Sequence, residues 1–365
     1  MPGRFPVAGL IIVLLLLFMV LPVDLHAKPP KCAVCGERIV GQGFKVDGKH
    51  YHPQCFTCAV CGDPLGGKYV KENGTYYHAD CYVDRFAPRC DHCGEPIVGN
   101  YIEIDGSVYH DTCYKHNFAP ICKATGERIS GTILQNDWGE TIAASNQHLV
   151  RDCSACGRFA VLDRSLRLSD DRIICSICRQ NAVTREAHGR RLLERTYALL
   201  QKQGVEIPVP LNQIELRLVD RDRLDPIAER IGTKDSHGIC RYGFESRNNR
   251  IVSESYQIYI LSYLSEESFI SVAAHELFHV WQHAVRADGP SSRILEGGAN
   301  LAMYAVLDEM EGEYAEYRRD KLFKDPDPVY GDGFRMMHRI YEREGMEGVL
   351  RHSIRKNPRP AGQPR

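Results

Sequence analysis

The first half of the chain carries cysteines and histidines at a spacing that repeats. The order Cys-x2-Cys, sixteen residues, His-x2-Cys occurs at Cys32, Cys35, His52 and Cys55. Two residues later the same spacing begins again, at Cys58, Cys61, His78 and Cys81. Each set offers the four ligands of one tetrahedral zinc ion, and the residues between its two halves are long enough for a short hairpin. With few large apolar residues, such modules are expected to need the metal for folding.

The pattern recurs with a period of 32 residues and then degenerates. The third set consists of Cys90, Cys93, His110 and Cys113. A fourth set would begin at Cys122, but Thr125 replaces its second cysteine, and His148 is the one plausible ligand that follows before the next cysteine pair. We therefore predict a degenerate finger without metal at 122–152. A closed four-cysteine zinc site is predicted next, at Cys153, Cys156, Cys175 and Cys178.

Disulfides and nucleic-acid fingers are the alternatives to protein-binding zinc modules. Fourteen of the fifteen cysteines precede residue 179, so a disulfide framework is a competing explanation in an oxidising compartment. Histidines at fixed positions favour zinc, because disulfides have no use for them. Nucleic-acid fingers usually carry a basic stripe. Acidic and basic residues are mixed evenly in 32–120 and the formal net charge is −1, so no nucleic-acid partner is expected.

The N-terminus resembles a secretory signal. Arg4 precedes an apolar run over 7–23, and Ala27 follows as a small residue at the cleavage position. We expect a signal peptide at 1–27 and a secreted, periplasmic or cell-envelope protein. The alternative is an uncleaved membrane anchor, because the run approaches the length of a spanning helix.

The second half contains the sequence His-Glu-Leu-Phe-His. On a helix, His275 and His279 lie one turn apart and can bind one Zn²⁺, while Glu276 is placed to take a proton from a zinc-bound water. Glu296 follows on a second helix as the predicted third ligand, which leaves the fourth position open, as is typical of catalytic zinc. His283 is the rival third ligand, but on a straight helix it lies about 12 Å from His275 along the axis.

The surrounding pattern predicts mostly helices. We expect a linking helix over 184–204, strands at 214–219 and 257–263, a motif helix capped by Ser265 and running to about 286, and a second helix over about 292–311. The strand at 257–263 is the predicted site at which an extended substrate adds to the sheet. Cys240 is either a buried apolar residue or a switch at the metal site.

Three resemblances extend this interpretation. The paired cysteine sets resemble the LIM domain, a double zinc finger, which implies protein binding. The C-terminal half resembles the gluzincin peptidases, and the chain as a whole resembles the LIM-bearing zinc peptidases that restrain organ growth in plants. The resemblance of the whole chain rests on the segments 151–180, 237–240, 273–282, 295–300 and 328–335. It implies a peptidase that cuts a small set of protein substrates.

This sequence departs from those families at three points. The plant proteins have no secretory signal, so their partners and control do not carry over, and their number of fingers differs. Asn300 stands where many gluzincins have an acidic residue that orients a zinc-bound histidine. Candidates for the donor to the developing oxyanion are Tyr330 first, because Gly331 and Gly333 would let a loop approach the site, then His338 and Tyr304.

The predicted architecture is an α+β multidomain chain. An N-terminal array of small LIM-type β-hairpin zinc fingers precedes a mainly α zincin-like metallopeptidase domain with a small antiparallel sheet. The predicted segments are a signal peptide 1–27, a LIM domain 32–81, a second LIM-like domain 90–152, a four-cysteine finger 153–180, a linking helix 184–204, a peptidase domain 205–355 and a disordered tail 356–365. We expect a zinc endopeptidase with one catalytic and about four structural Zn²⁺. A LIM-based adaptor with an inactive peptidase domain is the alternative.

Overall fold

A computed structural model describes residues 2–4, 28–231, 236–248, 250–285, 287 and 290–354. The predicted signal peptide lies outside these residues, except for the backbone of residues 2–4, and so does the predicted tail. The chain divides into two compact units, one of Met1–Ile121 with Glu127–Ser130 and one of Cys122–Gly126 with Gly131–Arg365. Within the described part of the chain, no helix combines the length and apolar character needed to cross a membrane.

The first unit repeats one small β-hairpin. The strands pair as β2 (Phe44–Val46) with β3 (Lys49–Tyr51), β4 (Val70–Glu72) with β5 (Thr75–Tyr77), and β6 (Asn100–Ile104) with β7 (Ser107–Tyr109). A short strand β1 (Pro2–Arg4) adds antiparallel to β6. The helices α1 (Ala79–Phe86) and α2 (Asp111–Asn117) begin directly after a histidine of the repeat.

The hairpin turns follow from a two-residue sequence. Each turn has Asp or Asn followed by glycine, and both residues adopt a positive φ: 47° and 78° at Asp47 and Gly48, 48° and 79° at Asn73 and Gly74. Asx-Gly is the preferred pair for the tight turn whose twist matches that of the flanking strands. The same turn at Asp105 and Gly106 completes the third copy. The predicted array of small β-hairpin units is therefore confirmed.

The second unit begins with short hairpins and two helices. The paired strands are β8 (Ile133–Gln135) with β9 (Thr141–Ala143), β10 (Val150–Asp152) with β11 (Phe159–Val161), and β12 (Leu166–Arg167) with β13 (Ile173–Ile174). The helices α3 (Ser176–Gln180) and α4 (Glu186–Lys202) follow. Asp171 takes a positive φ of 65° in the turn between β12 and β13.

The sheet of the second unit is mixed, so the prediction of an antiparallel sheet was wrong. Its strands are β14 (Ile214–Val219), β15 (Gly238–Arg247) and β16 (Arg250–Leu261), in the order β14-β16-β15. β15 pairs antiparallel with β16, but β14 pairs parallel with it. Parallel neighbours need a long crossover. Helix α5 (Arg221–Ile231) together with β15 provides it.

Four helices complete the second unit, and the prediction of a helical region after the fingers is confirmed. They are α6 (Glu266–Ala284), α7 (Ser292–Asp308), α8 (Glu313–Lys324) and α9 (Tyr330–Ser353). Ser265 caps α6 as predicted, since its Oγ accepts from the backbone N–H of Ser268 at 3.2 Å. Asp327 accepts from the N–H groups of Val329 and Tyr330 where α9 begins.

The four-cysteine finger is part of the core of the second unit. Its four cysteines belong to the same buried apolar cluster as the residues of α6, α7 and α9. Ser268 Oγ donates to the carbonyl of Ala155 at 3.0 Å, and Arg172 donates to the carbonyl of Ser262 at 2.6 Å. The pKa of His237 is lowered to about 4 by burial, so its neutral ring donates to the carbonyl of Ser154, 2.8 Å away. The finger is therefore tied to α6 and to the residues that flank β15 and β16.

Residues of the predicted degenerate finger also pack within the second unit. Trp138 stacks on Tyr317 of α8 at a ring distance of 3.8 Å, and the Arg158 guanidinium lies 3.5 Å from the centre of the Trp138 ring. Trp138 Nε1 donates to the carbonyl of Cys156 at 2.8 Å. Cys122 accepts a hydrogen bond from the side chain of Asn146. An aromatic and cation–π contact thus joins this segment to the four-cysteine finger and to α8.

Candidate metal centres

The first unit groups its cysteines and histidines in three sets of four that could each hold a metal ion. The sets are Cys32, Cys35, His52, Cys55; Cys58, Cys61, His78, Cys81; and Cys90, Cys93, His110, Cys113. In every set the histidine turns Nδ1 toward the cysteine sulfurs, at 3.3 Å from Cys35, 3.3 Å from Cys61 and 3.4 Å from Cys93. The spacing predicted these groupings, and the chemistry of the donors fits structural zinc.

Backbone carbonyl groups face the histidines of these sets, and backbone N–H groups face the cysteines. The outer ring nitrogen, Nε2, faces the carbonyl of Pro64 at 3.2 Å for His78 and the carbonyl of Pro96 at 3.2 Å for His110. Such a bond fixes the tautomer that leaves Nδ1 free to bind metal. Burial acts to raise the pKa of Cys58, but N–H donors from the backbone outweigh it and lower that pKa to about 6. A thiol of this kind is readily available as the thiolate that zinc needs.

The second unit contains a fourth set, of four buried cysteines. It consists of Cys153, Cys156, Cys175 and Cys178. The Sγ atoms of Cys156 and Cys175 are 3.9 Å apart. Four sulfurs at about 2.3 Å from a zinc ion in tetrahedral geometry would be about 3.8 Å from one another. The set therefore fits a structural zinc ion closely.

The third kind of centre brings together the histidines of α6 and the glutamate of α7. The Nε2 atoms of His275 and His279 are 3.1 Å apart, and Glu296 Oε2 lies 3.2 Å from the first and 3.4 Å from the second. Ligands at about 2.0–2.1 Å in tetrahedral geometry would be about 3.3 Å apart. Two imidazoles and one carboxylate at these distances fit a zinc ion with one open position. His283 stacks on Tyr242 at 4.9 Å and is outside this group.

Two buried side-chain amides support the two imidazoles. Asn300 Oδ1 lies 3.0 Å from His275 Nδ1, as the sequence position of Asn300 suggested. Gln282 Oε1 lies 2.7 Å from His279 Nδ1. Sequence reasoning missed the role of Gln282. The signal that could have found it is a polar residue three positions after the second histidine, on a helix that is otherwise apolar there.

Glu276 is buried beside the two histidines and touches β15. A Cβ at Gly238 would lie 3.0 Å from both Cγ and Oε1 of Glu276, so the strand approaches the carboxylate closely only because residue 238 is glycine. Burial raises the pKa of Glu276, and it outweighs the backbone N–H of Cys240, which acts in the opposite direction. It also raises the pKa of Cys240, with a contribution from the charge of Glu276.

The ligand carboxylate carries the negative charge of the centre. Burial opposes ionisation of Glu296, but hydrogen bonds to His275 and His279 outweigh it, and the pKa of Glu296 is well below its usual range. Burial likewise disfavours charge on His279, yet the Glu296 carboxylate raises the pKa of His279 to about 9. The Glu296 carboxylate therefore favours positive charge at the point where the three donor atoms meet.

Glycines let two helices meet directly behind Glu296. A Cβ at Gly297 would lie 2.4 Å from the backbone carbonyl atoms of Gly333, and one at Gly333 would lie 2.4 Å from the carbonyl oxygen of Arg293. The expectation that Gly331 and Gly333 belong to a loop was wrong, because both lie in the first turn of α9. Their role in the structure is to bring the backbone of α9 against α7.

We expect Gly297→Ala to displace α7 and with it Glu296. The added methyl group would meet backbone atoms, which cannot turn aside as a side chain can, so a cost of about 1–3 kcal/mol or more follows. Thermal unfolding followed by circular dichroism would measure this cost, with Gly67→Ala as the control because a Cβ there meets nothing within 4 Å. Equal stability of the two variants would contradict the helix contact.

The three candidate oxyanion donors occupy different surroundings. Tyr330 begins α9, and its backbone carbonyl accepts a hydrogen bond from Asn300 Nδ2 at 3.3 Å. His338 and Tyr304 belong to an aromatic cluster, with ring distances of 5.0 Å to each other and 4.8 Å from His338 to Phe323. These contacts favour a packing role for His338 and Tyr304. Asp332 and Arg335 form an ion pair in the first turns of α9.

The strand predicted to receive a substrate has no free edge. β16 is the central strand, with β14 on one side and β15 on the other, so it cannot pair with a further strand. The expectation that 257–263 receives the substrate was therefore wrong. Among the described residues β15 is the edge strand beside α6, and its first residues run past Glu276.

Comparison with known proteins identifies one part of the chain. The family model of the LIM domain matches residues 32–86. A search of curated proteins finds no match. The LIM match agrees with the first two Cys/His sets and with zinc binding there. LIM domains in general mediate protein–protein interactions, which suggests a zinc-binding interaction module at residues 32–86.

Proposed function

We propose that the second unit is a zinc-dependent endopeptidase and that the LIM fingers bind or present its protein substrates. The observation that carries the proposal is the set of three donor atoms from His275, His279 and Glu296, at 3.1–3.4 Å from one another. A zinc ion bound there would activate a water molecule and polarise the substrate carbonyl. Three protein ligands with an open position are typical of catalytic rather than structural zinc.

Glu276 is the proposed general base and acid. It follows His275 directly in the sequence and is buried with its carboxylate against β15. It would accept a proton from the water whose oxygen attacks the carbonyl carbon. It would then return that proton to the amine nitrogen as the C–N bond breaks. Tyr330 remains the proposed donor to the developing oxyanion.

The outer edge of β15 is the proposed binding site for an extended substrate. Among the described residues it has no neighbouring strand, and Gly238 of this strand lies against the Glu276 side chain. An edge strand offers backbone donors and acceptors that bind any extended peptide largely independently of its side chains. Selection among proteins would then come from the LIM fingers.

A metal count with a cleavage assay tests this proposal. The purified full-length chain is expected to hold five zinc ions and to cut casein, while Glu296→Ala holds four ions and cuts nothing. The reason is that the variant loses one of only three ligands at the open site and keeps all four finger sites. Four ions in the native chain, or cleavage that survives in Glu296→Ala, would exclude the peptidase. The LIM adaptor with an inactive second unit would then be the better explanation.

A further inference from the structure

Gln282 is a large polar side chain buried in the last turn of α6. Only 4% of its surface is exposed, and its neighbours in the helix include buried Phe278, Val280 and Trp281. A buried amide is costly unless its oxygen and nitrogen both find partners. Both do: Oε1 faces His279 Nδ1 at 2.7 Å, and Nε2 donates to the carbonyl of Leu295 at 2.9 Å.

The hydrogen bond from Gln282 to Leu295 determines which atom of the amide faces His279. The Leu295 carbonyl can only accept, so the NH₂ group of Gln282 must face it and the amide oxygen must face His279. An oxygen beside Nδ1 requires that this nitrogen carry the proton. The lone pair of His279 is then on Nε2, the atom that lies 3.1 Å from His275 Nε2 and 3.4 Å from Glu296. One amide thus selects the tautomer that can bind a metal.

The hydrogen bond from Gln282 to Leu295 also affects the position of Glu296, the third proposed metal ligand. Leu295 directly precedes Glu296 in the first turn of α7. A segment of seven residues separates Ala284, the end of α6, from Ser292, the start of α7. The Gln282 amide crosses this gap and ties the position of Glu296 to the ring of His279. Asn300 makes a comparable link for His275, but it joins that histidine to the start of α9 at Tyr330.

We propose that Gln282 is a positioning residue that joins two metal ligands, His279 and Glu296, into one preorganised pair. This inference rests on the proposed function, because it takes the three-residue centre to be a zinc site. Both halves of the amide are needed. The oxygen orients the imidazole and the nitrogen holds α7, so a replacement that keeps only one half loses the effect.

Two variants test this requirement. Gln282→Met keeps the length of the side chain and removes both hydrogen bonds. Gln282→Glu keeps an acceptor for His279 Nδ1, and a stronger one, but presents a second carboxylate oxygen to the Leu295 carbonyl in place of a donor. Outer-shell substitutions at zinc sites typically cost 10- to 100-fold in metal affinity. We expect a loss of about this size in both variants.

The experiment measures the zinc affinity of the fifth site by competition with a chelator in the full-length chain. Four ions retained in the finger sites show that a variant is folded. Gln257→Met serves as the control, because the Gln257 amide binds Glu215 in the sheet and should leave the zinc affinity unchanged. If the native chain holds five ions, a native zinc affinity in either Gln282 variant overturns the inference. A native chain that holds only four ions refutes the proposed function itself and the inference with it.

Discussion

The variant Glu276→Gln is expected to bind five zinc ions per chain and to cut casein about 10²- to 10⁴-fold more slowly than the native protein. General acid–base catalysis by one positioned side chain contributes about that factor. The amide has the size of the carboxylate, so the packing against Gly238 is kept. It cannot take up the proton of the attacking water. Initial rates of casein cleavage with zinc analysis of the same samples measure the effect.

Glu267→Gln is the matched control, since it makes the same chemical change nine residues earlier on α6. Its rate should equal that of the native chain. The result that contradicts the assigned role is a Glu276→Gln protein with full zinc content and a native rate. A variant that loses the fifth ion would instead make Glu276 a structural support of the centre.

The sequence predicted those parts of the fold that depend on local chemistry. The hairpins were predicted from the spacing of the cysteine and histidine ligands, and the start of α6 was predicted from the Ser265 cap. Helix α9 could not be predicted in this way, because the sequence Tyr-Gly-Asp-Gly at its start is typical of a turn. Those glycines are explained by the contact between Gly333 and Gly297, which exists only in the folded unit. The parallel pairing of β14 with β16 is likewise a long-range event without a local signal.

The same division applies to the candidate site. His275 and His279 lie one turn apart on one helix face, and the structure places Glu296 of the second helix 3.2–3.4 Å from both. The hydrogen bonds that support the two histidines depend on which backbone carbonyl lies within reach of each side-chain amide. Asn300 was suggested by its place in the resemblance. Gln282 could not be recognised, because its partner at Leu295 is near only after α7 folds back on α6.

Replacing one zinc-binding cysteine should unfold the second unit when the cysteine belongs to that unit. It should leave the second unit folded when the cysteine belongs to the first. Structural zinc contributes about 10–16 kcal/mol in zinc-finger peptides. This matches or exceeds the whole stability of a domain, about 5–15 kcal/mol. Cys178 lies in the main apolar core of the second unit, whereas Cys61 is an exposed ligand in the first. We therefore expect Cys178→Ser to unfold the second unit and Cys61→Ser to leave it intact, although each loses one zinc site.

Tryptophan fluorescence distinguishes these outcomes. The chain has two tryptophans, Trp138 and Trp281, and both lie in the second unit. The thermal transition seen by fluorescence should disappear or move down sharply in Cys178→Ser and stay at its native temperature in Cys61→Ser. A native transition in Cys178→Ser would mean that the four-cysteine finger can unfold independently of α6. That result would contradict the inference that the hydrogen bonds of Ser268 and Arg172 hold the finger and α6 together. If the expected pattern holds, the finger at 153–180 is part of the structure that positions His275 and His279. The LIM fingers alone are then a separate module.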